Sequence, residues 1–196
     1  MNAAPDRLLE ALDYAVRLHW PDRRKVNRTP YVSHLFIVCG LAIDYGATED
    51  EAVAALLHDA VEDRGGTEQL EAIRRRFGDR VANIVAECSD TQQTVKEPWK
   101  QRKEKYIAHL EVASPSALLV TAADKLANLR SLLAEYRIRG PSLWKEFNGK
   151  REGTVWYYRA VADRLARRRD AFSALGRPIV DEIELLVKEL EQTPVE

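Results

Sequence analysis

Apolar residues recur at three- and four-residue steps along most of this chain, the period of a helix with one buried face. Near the start, Leu8, Leu9, Leu12, Ala15, Val16 and His19 fall on one stripe. The run TEDEAVAALLHDAVED opens on Thr48, with Glu51 three residues later. That spacing is a capping box, and it predicts a helix running to the Gly65-Gly66 stop. Thr67 is expected to cap the next helix, which Gly78 ends, and a further helix spans Asp79 to about Cys88. SPSALLVTAADKLANLRSLLAEYRIRG carries Ser114 as cap and Pro115 at the first helical position, and stops at Gly140-Pro141. TVWYYRAVADRLARRRDAF reads as another long helix. After Gly176 and Pro178, IVDEIELLVKELEQ puts Ile179, Ile183, Leu186, Val187 and Leu190 on one face. No stretch alternates with a period of two for the length of a strand.

The pattern therefore predicts an all-α bundle of about 8–10 helices. Two polar, basic stretches, PDRRKVNRTP at 21–30 and SDTQQTVKEPWKQRKE at 89–104, are expected to be the loops of consequence. No linker divides the chain. Residues 1–170 are read as the main domain and 171–196 as a helical extension packed on it, with a homodimer left open.

Composition narrows the function. The 196 residues contain 30 Lys plus Arg against 31 Asp plus Glu, a net charge of −1. That balance gives no reason to expect nucleic acid or an anionic membrane as partner. No apolar run approaches the ~20 residues of a membrane span, and the first twenty residues hold acids where a signal peptide has an apolar core. A cytoplasmic protein is expected. Cys39 and Cys88 lie in apolar surroundings without metal-type spacing and read as buried small hydrophobes.

One segment breaks the apolar pattern. LLHDAVED places His58, Asp59, Glu62 and Asp63 at three- and four-residue spacings on one helix face, opposite Ala55, Leu56, Ala60 and Val61. A solvated face would account for carboxylates there. Against it, carboxylates so spaced repel one another unless a cation sits among them. Two other apolar helices hold a metal-competent group: His34 in TPYVSHLFIV and Asp124 in ALLVTAADKLANL. Singly, His34 reads as a core histidine and Asp124 as half of a buried ion pair. Together with His58 and Asp59 they make a set of two imidazoles and two carboxylates, suited to a hard-to-borderline ion such as Mn²⁺ or Fe²⁺.

The order His34, His58-Asp59, Asp124 resembles the H…HD…D pattern of HD-domain phosphohydrolases. RRKVNRTPYVSH, AALLHDAVED and LVTAADKLANLRSL are similar to segments of the hydrolase domain of the RelA/SpoT family, above all its stand-alone small alarmone hydrolases. The resemblance covers roughly residues 7 to 165. It implies an HD-domain helical bundle and Mn²⁺-dependent removal of the 3′-pyrophosphate from (p)ppGpp or its adenosine analogues. His34, His58, Asp59 and Asp124 match the family's metal ligands, and Glu62 and Asp63 its catalytic acidic pair. Arg24, Lys25 and Asn128 match residues that contact the nucleotide. Departures are Leu35 after His34, where proline is common, Val26-Asn27 after the basic pair, and a weaker match beyond residue 135.

Lys100, Arg102 and Lys103 either meet phosphates across the cleft or lie on a solvated loop, and Lys150 and Arg151 pose the same choice. Trp156, Tyr157 and Tyr158 read as core, and His19 and His109 as structural or exposed. The alternatives to a pyrophosphohydrolase are an HD phosphatase acting on another phosphorylated nucleotide, and a silent alarmone-binding module.

Overall fold

The computed structural model describes residues 6–90 and 97–194, apart from the side chain of Asp63. Among the described residues, ten α-helical segments follow one another: α1 (Asp6–His19), α2 (Val32–Asp44), α3 (Glu49–Leu57), α4 (Ala60–Asp63), α5 (Thr67–Phe77), α6 (Asp79–Cys88), α7 (Trp99–His109), α8 (Pro115–Arg139), α9 (Lys150–Arg167) and α10 (Arg177–Glu191). Short 3₁₀ turns at Gly140–Glu146 and Arg169–Ala171 flank α9. Among the described residues, the only β-type contact is an isolated bridge between Arg23 and Pro30, which closes the 23–30 loop on itself.

The caps form as the sequence predicts at two sites. The Thr48 hydroxyl accepts from the Glu51 backbone while the Glu51 carboxylate accepts from the Thr48 backbone. Ser114 accepts from the Ala117 backbone, with Pro115 at the first helical position. Helix α8 is the hub. Leu118, Val120, Ala122, Ala123, Leu126 and Leu129 are all buried, so it is apolar around its circumference, as befits a helix surrounded by others. It packs against α2, α3, α6, α9 and α10.

Four local expectations are corrected. Thr67 does not cap α5; it is the first helical residue, after Gly66 at φ 57, a conformation glycine tolerates and threonine does not. The contact face of α1 runs through Ala11, Ala15 and His19, while Leu9 and Leu12 face outward. Small residues win because they let α1 approach the alanine-rich α3. Residues 99–104, expected as loop, are the first turns of α7. Finally, the helix through His58 is not continuous, for α3 ends at Leu57 and α4 starts at Ala60.

Helix α10 lays Ile179, Val180, Ile183, Val187 and Leu190 on α8 and α9. Burying each such side chain is worth roughly 1.5–3 kcal/mol. Arg159 grips Glu184 and Glu191 (2.9 and 2.8 Å), and Arg130 grips Glu182 (2.6 Å). Arg151 donates to the Glu191 and Thr193 carbonyls, which satisfies acceptors left over at a helix C-terminus. It is therefore occupied in packing, away from a phosphate role. No described helix is long and apolar enough to cross a membrane. Cys39 and Cys88 are free thiols, and burial pushes them up to about 11 and about 12.

Candidate active site

The break between α3 and α4 is where the chemistry collects. A regular helix would keep the Ala55 carbonyl for the backbone, but the His58 ring takes it, with Nδ1 2.9 Å from the oxygen. A carbonyl only accepts, so Nδ1 carries the proton and Nε2 presents its lone pair. Nε2 is buried and makes no well-aligned hydrogen bond, although Asp59 Oδ2 lies 3.0 Å away. His34, in the first turn of α2, and Asp124, midway along α8, are buried beside it.

Two imidazole nitrogens and two carboxylate oxygens thus alternate around one point. His34 Nε2 lies 3.1 Å from Asp124 Oδ1 and 3.7 Å from Asp59 Oδ2. His58 Nε2 lies 3.6 Å from Asp124 Oδ1. Donor atoms of His34, His58 and Asp59 all lie within 4.8 Å of one another. Two donors each about 2.1 Å from a shared ion stand about 3.0 Å apart at a right angle and about 3.4 Å apart at the tetrahedral angle. The spacing therefore fits a single divalent ion.

Electrostatics agree. Burial alone would raise both carboxyls. The imidazoles outweigh it at Asp59, and Lys125 with the imidazoles at Asp124, so both stay below the usual carboxylate range. Burial lowers His34, with Asp124 opposing. Burial also disfavours a charge on His58, but Asp59 and Asp124 outweigh it and hold this imidazole well above its ordinary value. Ionised carboxylates beside an imidazole pulled toward protonation are short of positive charge, and a divalent cation supplies more of it than a proton.

The donors are held from outside. The Tyr31 hydroxyl donates to Asp59 Oδ2, and Lys125 Nζ pairs with Asp124 Oδ2, turning Oδ1 toward the imidazoles. Asn128 donates from Nδ2 to Asp124 Oδ1 (2.6 Å), and its own Oδ1 accepts from Arg24 Nη2 (2.9 Å). The Arg24 guanidinium also lies over the Tyr31 ring, 5.9 Å from its centre. The 21–30 loop is thereby tied to the four-donor cluster through two side chains. Such partners of metal ligands fix ligand orientation.

The cluster opens into a cleft of about 310 Å³ lined by Asp59, Glu62 and Asp124 on the acidic side and Arg24, Lys25, Lys103 and Lys125 on the basic side. Trp99, Phe147, Tyr157 and Tyr158 supply aromatic wall, so Tyr157 and Tyr158 are cleft residues as well as packing ones. A side recess of about 160 Å³ adjoins Arg24, Lys25 and Asn128. Glu62 on α4 reaches the same cleft; the Asp63 side chain lies outside the described residues. Lys103 faces the cleft with Nζ 2.8 Å from Asp90, whereas Lys100 is exposed and Arg102 is buried. Lys150 is exposed on the surface. The 1% exposed His19 is structural, 3.1 Å from Asp22.

Tyr31, Lys125 and Trp99 are not visible in the sequence as site residues, and Arg102, weighed there as a phosphate contact or a solvated residue, is neither exposed nor loop. Lys125 had a signal, since it adjoins Asp124 in an otherwise apolar stretch. Tyr31 sat three residues before His34, one helical turn away.

The chain is similar to proteins already known. The HD-domain family model matches residues 11–155. The guanosine-3′,5′-bis(diphosphate) 3′-pyrophosphohydrolase MESH1 of Xenopus tropicalis is 41% identical over 135 residues, covering 67% of this chain and 73% of that protein. MESH1 of Homo sapiens is 38% identical over the same shares. Among solved structures, a metazoan ortholog of SpoT described as hydrolysing ppGpp superposes with a TM-score of 0.74 at 32% identity, covering 93% of this chain and 96% of that one.

Proposed function

The chain belongs to the HD-domain family, and on that premise we propose that it is a metal-dependent hydrolase removing the 3′-pyrophosphate from guanosine 3′,5′-bis(diphosphate) and related nucleotides. The observation that carries this reading is the cluster of His34, His58, Asp59 and Asp124 at the base of a cleft that also holds Glu62 and four cationic side chains. Those four residues would hold one divalent ion; two nitrogens with two carboxylates suit a hard-to-borderline ion such as Mn²⁺ or Fe²⁺, and the family resemblance selects Mn²⁺. When bound, such an ion supplies positive charge at the phosphoryl group and makes water acidic enough to serve as nucleophile near neutral pH.

This chain's own groups do the rest. Arg24, Lys25, Lys103 and Lys125 hold the phosphates, whose charge would otherwise be repelled by Asp59, Glu62 and Asp124. Glu62 lies one helical turn beyond Asp59 and takes the proton of the attacking water, with Asp63 as its companion. The water oxygen bonds to the phosphorus attached to the 3′ oxygen. That phosphorus–oxygen bond breaks, the 3′ hydroxyl is restored with a proton, and pyrophosphate leaves. Asn128 and Arg24 align the nucleotide beside the side recess.

The roles of base and ligand are separable. Glu62→Gln should keep its metal and lose turnover by a factor on the order of 10² or more, as loss of a general base does. His58→Ala should lose both. Loss of metal in Glu62→Gln would make Glu62 a ligand, and full activity after chelation would remove the metal from the mechanism.

A further inference from the structure

We propose that Arg102, locked in place by Asp90, is a positioning residue that aims the Glu62 carboxylate at the reacting water; the inference rests on Glu62 being the base. Arg102 lies in a strongly basic stretch, WKQRKEK, yet it is only 9% exposed. A guanidinium is buried only where its charge and its N–H groups find partners. Here the partners come from three places. Nη1 lies 2.6 Å from Asp90 Oδ1, just after α6. Nε donates to the Glu97 carbonyl at 3.2 Å, just before α7. The same Nη1 stands 3.5 Å from Glu62 Oε1 on α4.

Asp90 is built for this. Its side chain is 3% exposed, and Lys103 Nζ holds it from a second direction at 2.8 Å. Arg102 therefore cannot swing, because its carboxylate partner is itself fixed. Asp90 takes the short contacts and most of the guanidinium charge, while Glu62 receives the long one. Asp90 also hydrogen-bonds Glu62 itself, and a guanidinium contact of that length orients the Glu62 carboxylate without the tight ion pair that would lower its affinity for a proton.

Glu62 needs such an outside hold. Helix α4 is four residues long and follows the break at His58-Asp59, so the local helix supplies little rigidity. A misplacement of about 1 Å in a reacting group can cost about 10²-fold in rate. Helix α7, which carries Arg102, is braced by a second contact one turn before it. The Trp99 ring fits against Gly149 and Gly153, where an added Cβ would come within 2.7 and 3.2 Å of it. The clamp therefore joins the base to two elements fixed independently of α4.

The test is a double-substitution cycle in the full chain with its metal, reading kcat, KM, circular dichroism and Mn²⁺ affinity by calorimetry. Arg102→Ala should lower kcat by about 10- to 100-fold, with KM and Mn²⁺ affinity changed less than about threefold and with added guanidinium ion restoring part of the rate. In a Glu62→Gln background, the same substitution should cost less than about threefold further, since a residue acting through Glu62 has nothing left to aim. Arg102→Lys keeps charge and bulk for folding, but an ammonium lacks the separate Nε–H that anchors the guanidinium to the Glu97 carbonyl and so fixes Nη1 between the two carboxylates. It should fold and still lose at least about fivefold in kcat. Folded Arg102→Lys with wild-type kcat, or a full multiplicative loss in the Glu62→Gln background, would overturn the clamp. Wild-type turnover in Glu62→Gln alone would instead bring down the assignment of the base.

Discussion

Asn128→Ala separates the two halves of the site, because Asn128 touches both. Its amide donates to Asp124 Oδ1, the oxygen facing His34 and His58, and accepts from Arg24 Nη2. Alanine removes both bonds and little else, since Asn128 is half-buried at the cleft edge. Outer partners of metal ligands are typically worth about 10- to 100-fold in metal affinity. At 1.4 kcal/mol per tenfold that is about 1.4–2.8 kcal/mol, close to the roughly 1.5–3 kcal/mol of one hydrogen bond to a charged group. The two routes agree, so Mn²⁺ should bind about 10- to 100-fold more weakly. Arg24 loses its tether at the same time. Ordering a free arginine on substrate binding costs up to about 2 kcal/mol, so KM should rise by up to about 30-fold even at saturating metal. The assay is calorimetric titration of Mn²⁺ into the apo-protein, then steady-state kinetics on ppGpp at metal saturation. Wild-type values in both measurements would refute the bridge between loop and cluster. A change in metal affinity alone would mean that Arg24 is placed by something other than Asn128.

Three further outcomes follow from the same geometry. Arg24→Ala should raise KM by about 10- to 150-fold, the cost of one charge-assisted hydrogen bond, and leave metal content intact; Arg24→Lys should recover only part, and wild-type kinetics in both would remove Arg24 from the site. Gly149→Ala places a methyl 2.7 Å from Trp99 Cη2, so overpacking should cost about 1–3 kcal/mol of stability and raise KM by moving the cleft wall, read by thermal melting and kinetics. Burial alone would raise the Asp90 carboxyl, but Lys103, a hydrogen bond with Glu62 and the Arg102 charge hold it below the ordinary range, so its stabilisation is complete above about pH 4 and is lost as pH falls through the depressed value. Asp90→Asn should therefore be less stable than wild type by about 3–5 kcal/mol at pH 7, with the gap closing on acidification below about pH 4; urea midpoints across that range check it, and a gap that widens would contradict the pairing.

What the chain order makes visible is local, and what it hides is mostly long-range. Helical period and capping chemistry reach only a few residues, so α3, α6, α8 and α10 can be read directly from Thr48, Gly78, Ser114-Pro115 and Gly176. The donors His34, His58, Asp59 and Asp124 stand out because each interrupts an apolar pattern. The face of α1 is misread because periodicity weighs Leu9 and Leu12 above Ala11, while close packing favours the smaller side chain. Helix α7 is misread because its inward side includes a charged residue. Arg102 is buried by Asp90, twelve residues earlier, and by Glu62, forty residues earlier. No local rule pairs them. The break at His58-Asp59 is likewise invisible, since both residues keep right-handed helical angles while the Ala55 carbonyl takes the His58 ring as its partner.

The central claim is that metal held by His34, His58, Asp59 and Asp124 drives release of pyrophosphate from a nucleotide 3′-diphosphate. The most direct measurement incubates Mn²⁺-loaded protein with ppGpp and resolves the products by anion-exchange chromatography, with a chelated sample and His58→Ala alongside. The account predicts GDP and pyrophosphate in equal amounts from the loaded protein, and intact ppGpp from the other two. Orthophosphate in place of pyrophosphate, or equal turnover in all three samples, would contradict it.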